Sequence, residues 1–163
     1  MIRILFIILI IISPIRALAL IEVDITRGNL NPLPVAVSPL SIDENSRQSF
    51  ENIIKIKNIG SEISKIVEKN LKTSGLFNPL NKDAFLQAPD IANLKPRFED
   101  WNLIKAQALI TGKVNFVDDK LRVEFRLWDV LAGKEMMALA FTTVPDNWRR
   151  VGHIITDKVY ERL

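Results

Sequence analysis

Apolar and polar positions change rhythm several times along this chain, and each change marks an element. Ile21, Val23 and Ile25 alternate with Glu22, Asp24 and Thr26, the period of two of a strand with one buried face. Arg27-Gly28-Asn29 follows as a turn. Leu33, Val35 and Val37 form a second short strand, crowded by Pro32, Pro34 and Pro39. Proline cannot donate to a ladder, so this strand is expected at a sheet edge or paired over a few residues only. Residues 41–58 are polar and weakly patterned, a loop with one helical turn near residues 50–54.

From Gly60 the rhythm becomes helical. Ile63, Ile66, Val67 and Leu71 share one stripe, while Glu62, Lys65, Glu68 and Lys69 face water. Ser61 suits the N-cap, and Gly75 suits the left-handed residue that ends a helix. Leu76-Phe77-Asn78-Pro79-Leu80 is a short extended piece. A helical turn is expected at residues 83–87, and a modest helix over residues 98–107, entered near Asp100 and carrying Trp101, Leu103 and Ile104.

The clearest alternation lies further on. Ile110, Val114 and Phe116 alternate with Thr111, Lys113 and Asn115; Leu121, Val123, Phe125 and Leu127 alternate with Arg122, Glu124 and Arg126. Asp118-Asp119 supplies the hairpin turn between the two runs. A second turn at Leu131-Ala132-Gly133-Lys134 leads to a third strand with Met137, Leu139 and Phe141. Pro145-Asp146 stops the sheet and caps a last helix over residues 147–163, whose stripe is Trp148, Val151, Ile155 and Val159. These elements predict an α+β fold: a mixed sheet ending in a three-strand antiparallel meander, with helices packed on it.

The N-terminal block has a different purpose. Arg3 precedes the unbroken apolar run of residues 4–12, followed by Ser13-Pro14 and Ala17-Leu18-Ala19. That is the order of a secretory signal, with cleavage expected between Ala19 and Leu20. An apolar run of this length covers only about 14 Å as a helix, against a hydrocarbon core of roughly 30 Å, so a permanent membrane span is not expected. Leu20 also stands where a lipid-bearing cysteine would be needed. The expected organisation is a signal peptide over residues 1–19 and one exported domain over residues 20–163. The block also changes the charge balance. Without Arg3 and Arg16, the 22 basic residues fall to 20 against 19 acidic ones. A nearly neutral chain with no basic run gives no reason to expect a nucleic-acid partner.

Candidate chemistry is sparse. With no cysteine there is no thiol nucleophile, disulfide or cysteine-ligated metal. The one histidine, His153, has no second histidine to share a metal site with. Asp118-Asp119 is explained by its turn, and Asp43-Glu44 and Glu99-Asp100 by helix starts or loops. No glycine-rich phosphate loop occurs, and Trp148-Arg149-Arg150 reads as the solvated face of a helix. No catalytic, cofactor-binding or metal-binding residue is expected, and the composition favours a binding module over an enzyme. The alternating segment that begins near residue 20 is the leading partner-binding candidate, because a chain end of that pattern is held only when it pairs with another strand.

Four ordered motifs carry a resemblance to a known family. They are Ser74-Gly75-Leu76-Phe77-Asn78-Pro79-Leu80; Ala106-Gln107-Ala108-Leu109-Ile110-Thr111-Gly112-Lys113-Val114; Phe125-Arg126-Leu127-Trp128-Asp129-Val130; and Trp148-Arg149-Arg150 with His153, Asp157, Val159-Tyr160-Glu161 and Leu163. Together they resemble the N-terminal domain of the TolB family, the periplasmic component of the bacterial Tol-Pal system. The resemblance implies a periplasmic, non-enzymatic adaptor without cofactors, concerned with outer-membrane integrity and invagination during cell division. It implies that the C-terminal domain of TolA is the partner and that Leu20-Ile21-Glu22-Val23-Asp24-Ile25-Thr26-Arg27-Gly28-Asn29 contacts it. In that family the lipoprotein Pal binds a six-bladed propeller, and no blade-like repeat occurs in these 163 residues, so Pal binding is not expected of them. Two alternatives stay open: a small exported ligand-binding or enzymatic domain using a pocket between the sheet and the last helix, with His153 and Arg150 as its polar groups, or a truncated remnant without function.

Overall fold

The computed structural model describes residues 31–163. The expected signal peptide, its cleavage point at Ala19 and Leu20, and the alternating segment of residues 20–29 all lie outside the described residues. Six strands form one mixed sheet: β1 (Leu33–Val37), β2 (Ser41–Ile42), β3 (Phe77–Pro79), β4 (Ala108–Val117), β5 (Lys120–Asp129) and β6 (Lys134–Thr143). Five helices pack on it: α1 (Glu44–Ile54), α2 (Ile59–Thr73), α3 (Pro89–Leu94), α4 (Phe98–Leu103) and α5 (Trp148–Arg162).

The strand order is β3-β1-β4-β5-β6, with β2 also pairing β4. β1 is parallel to both neighbours, β3 and β4, while β4, β5 and β6 form the expected antiparallel meander. The proline-crowded strand is therefore interior and not at an edge, while the other arm of the expectation holds: it pairs over only three residues with each neighbour. Pro34 is tolerated because pairing with β4 starts one residue later, at Val35 opposite Ala108. Its carbonyl accepts from Gln107 N at 3.0 Å, and the missing donor falls where β4 has not yet begun.

The chain crosses from β1 to β3 through α1 and α2, then back from β3 to β4 through α3 and α4. Two crossovers of one hand that run in opposite directions fall on opposite faces of a sheet. One face accordingly buries Phe50 of α1, Ile63, Val67 and Leu71 of α2, and Val151, Ile155 and Val159 of α5 against Val35, Ile110, Val123 and Phe125. The other buries Ala92, Trp101 and Ala106 against Ala36, Leu109 and Val130. This second layer covers only the end of the sheet near Trp128. Beyond it, on an open face, Lys113 and Arg122 both pair with Glu124 and Arg126 pairs with Glu135, at N–O distances of 3.0–3.6 Å.

Several expected boundaries move, each for a local reason. Residues 44–54 form a full helix where a loop with one turn was expected. Its start is set by Asp43, whose side chain accepts from Ser46 N at 2.9 Å, and only Ser46 and Phe50 are buried along it. The N-cap of α2 is Asn58, which accepts from Ser61 N at 3.1 Å, so Ser61 lies inside the first turn. Gly75 does close this helix, with φ +75° and its N–H bonded to the Lys72 carbonyl. The helical turn expected at residues 83–87 is a 3-10 turn, Lys82–Ala84. α3, with Pro89 in its first turn, had no forecast. α4 ends earlier than expected because Lys105 adopts φ +61°, donating to the Asn102 carbonyl while Ala106 donates to that of Trp101. At the last helix a 3-10 turn, Pro145–Asn147, leads into Trp148 with no side-chain cap, so Asp146 does not cap α5 as expected.

Candidate partner-binding surfaces

The segment of residues 20–29 leads into a firmly held root. Leu33 N donates to the Leu76 carbonyl at 2.9 Å, and Leu80 N donates to that of Val35 at 2.9 Å, so β1 is stitched into the middle of the sheet from its first residue. Asn31 and Pro32, just ahead of it, are exposed.

His153 and Arg150 do not converge, although the pocket alternative pairs them. His153 faces α2, where its Nδ1 stands 2.9 Å from Asn70 Nδ2, and the same Asn70 amide donates to Thr156 at 3.3 Å. The two helices touch closely along this seam because Gly152 faces Ile66: a Cβ on the glycine would lie 2.8 Å from the Ile66 Cγ2. Arg150 points the other way. It lines a groove of about 380 Å³ between the end of β6 and α5, together with Phe141, Thr143, Asn147, Val151 and Ile154. Its neighbour Arg149 lies over the Trp148 ring, 4.2 Å from the centroid. The groove is open and mostly apolar, with one cationic group at its rim.

A second depression of about 320 Å³ lies beside the join of β1 and β2, with Arg47, Asn58 and Asp90 among its walls. Arg47 Nε is buried there, 3.5 Å from Glu44 and without a hydrogen-bond partner among the described residues. Among the described residues no group of three or more metal-ligating side chains comes together, and no helix is long and apolar enough to cross a membrane. The Asp43 carboxyl at the start of α1 titrates below its ordinary range. Its side-chain hydrogen bond with Ser46, then the Ser46 backbone N–H, holds it below the ordinary 3.8.

A family model described as the TolB amino-terminal domain matches residues 21–136. The chain belongs to the TolB amino-terminal domain family. It is 80% identical, over its whole length, to the Tol-Pal system protein TolB of Pelagibacter ubique, and it spans 36% of that protein. Its fold is similar to the crystal structure of TolB from Acinetobacter baumannii, with a TM-score of 0.62 at 20% identity over 80% of this chain and 28% of that one. A PelC dodecamer from Paraburkholderia phytofirmans is similar at a TM-score of 0.50 and 13% identity, over 77% of this chain and 87% of that one. At such identities the likeness is one of fold. The TolB match begins inside the alternating segment and stops at Met136, before most of β6 and all of α5.

Proposed function

We propose that this TolB-family chain is a non-enzymatic adaptor of the Tol-Pal system, exported to the periplasm after cleavage between Ala19 and Leu20. In this reading residues 20–29 engage the C-terminal domain of TolA, and residues 20–163 form the adaptor domain. Its role is to help keep the outer membrane intact and drawn inward during division. The observation that carries the reading is positional. A strand-patterned segment precedes β1 in the sequence, and β1 is hydrogen-bonded into the sheet from Leu33, which gives that segment a fixed point of attachment. Ile21, Val23 and Ile25 supply one apolar face for a partner sheet, and Glu22 and Asp24 supply the solvated one.

The test is a pull-down on the C-terminal domain of TolA, comparing the chain that starts at Leu20 with one that starts at Leu30. Capture of the first and loss of the second supports the reading. Equal capture of both, or capture of neither, overturns it.

A further inference from the structure

We propose that the outer edge of β6 is a strand-addition site for an extended, acidic segment of a partner protein, a surface separate from residues 20–29 and independent of their role. The hydrogen-bond phase of the meander shows which backbone groups are open. Asp118 and Asp119 both have positive φ, 49° and 57°, which makes the β4–β5 connection a two-residue turn of the primed type. In such a hairpin the flanking pair, Val117 with Lys120, is the hydrogen-bonded one, and alternation follows along β5. Leu121, Val123, Phe125 and Leu127 therefore turn their backbone groups toward β6, where they meet Thr143, Phe141, Leu139 and Met137. By the same alternation Ala138, Ala140 and Thr142 turn their N–H and C=O groups outward, where no strand follows among the described residues.

This edge lacks the usual protection. A free edge is ordinarily blunted by lysine, proline or a bulge. Residues 136–143 contain no charge and no proline, and the register shift of this pair lies at Leu127 and Trp128, before the open stretch. The outward-facing residues are small and exposed, so another backbone can approach.

The groove states the chemistry of the occupant. A strand laid on this edge turns alternate side chains toward α5, over Val151 and Ile154 and against Arg150. Arg150 is exposed and pairs with no carboxylate among the described residues. An apolar residue and, two positions along, a carboxylate satisfy both. A second copy of β6 does not fit, because its one acidic residue, Glu135, is held by Arg126 on the opposite face at 3.2 Å.

The experiment uses the 163-residue chain and two short acetylated peptides, one repeating Thr-Val-Thr-Glu and one repeating Thr-Val-Thr-Lys, with titrations followed by amide NMR. The glutamate peptide is expected to bind, moving the amide signals of Ala138, Ala140 and Thr142, and the lysine peptide to bind at least about tenfold more weakly. Ala140→Pro removes an outward donor and no β5–β6 bond, and is expected to weaken binding about tenfold. Arg150→Glu is expected to reverse the peptide preference; being an exposed substitution, it carries the test if the proline variant does not fold. Equal binding of the two peptides, no binding of either, or a preference that Arg150→Glu leaves intact overturns the proposal. Slow exchange of the three amides without peptide also overturns it, at every dilution assigning the edge to the chain's own residues and only at high concentration to a second copy.

Discussion

The Trp101 indole donates to Gln87 Oε1 across 2.9 Å in the interior of the second layer. The same oxygen accepts from Arg97 N at 2.7 Å, so one amide group joins the loop after β3 to α4 and to the residue that caps it. Gln87 is only 5% exposed. Gln87→Leu keeps the bulk and strands the buried Trp101 indole and the part-buried Arg97 N–H, and a buried unsatisfied donor costs about 1–3 kcal/mol. Urea unfolding is expected to show a loss of about 1–3 kcal/mol with an unchanged m-value.

Gly152 and Gly75 are needed for opposite reasons. At Gly152 an added Cβ meets Ile66 Cγ2 at 2.8 Å and Cβ at 2.9 Å, whereas at Gly75 it meets nothing within 4 Å but φ is +75°. Gly152→Ala is expected to cost about 1–3 kcal/mol by overpacking the α2–α5 seam. Gly75→Ala is expected to cost about 1 kcal/mol by backbone strain alone. Ile66→Ala in the Gly152→Ala background is expected to lessen the additional cost of the glycine change, and in the Gly75→Ala background to leave it unaltered. Double-mutant cycles measured by thermal melting distinguish the two.

Asp43 links stability to acid. Its hydrogen bonds with Ser46 hold the folded-state pKa below the ordinary 3.8, so its contribution is complete above the unfolded value and fades as pH falls through the folded one. Asp43→Ala is expected to cost about 1 kcal/mol at neutral pH through loss of the cap of α1. Asp43→Asn keeps an acceptor, so its loss at neutral pH should be small and its melting curve less sensitive below pH 4. Melting temperatures across that range check both variants.

The Asp118-Asp119 turn carries two non-glycine residues at positive φ. Turns of this type favour Asn-Gly, so Asp118→Asn with Asp119→Gly is expected to stabilise the chain by about 0.5 kcal/mol. A rise in melting temperature with unchanged meander chemical shifts away from the turn checks it.

The meander and the last helix were legible because their information is local. Leu121, Val123, Phe125 and Leu127 are all fully buried on one face, and Trp148, Val151, Ile155 and Val159 sit on one buried stripe. The interior place of β1 was not legible, because it depends on β3 and β4, which lie far along the chain, and local pattern shows only the prolines. Only the last turn of α1 was legible, because its buried face is two residues, Ser46 and Phe50, and its start rests on the Asp43 cap. The separation of Arg150 from His153 needed α5 docked against α2, which places one on the groove and the other on the seam. The open edge of β6 was beyond pattern reading as well, since which residues face outward follows from the turn at Asp118 and Asp119 counted across two strands.

The central position of β1 has a consequence for the order of assembly. Val35 pairs with Ala108, 73 residues downstream, and Leu33 with Phe77. The part of the sheet that emerges first is thus the part whose neighbours arrive last. Long-range parallel pairing of this kind is slow, because loop closure must precede its reward. The β4–β6 meander, built from adjacent hairpins, can form on its own timetable and offer a template. β1 then closes onto it, so the root of the proposed partner-binding segment becomes rigid only once the meander is in place.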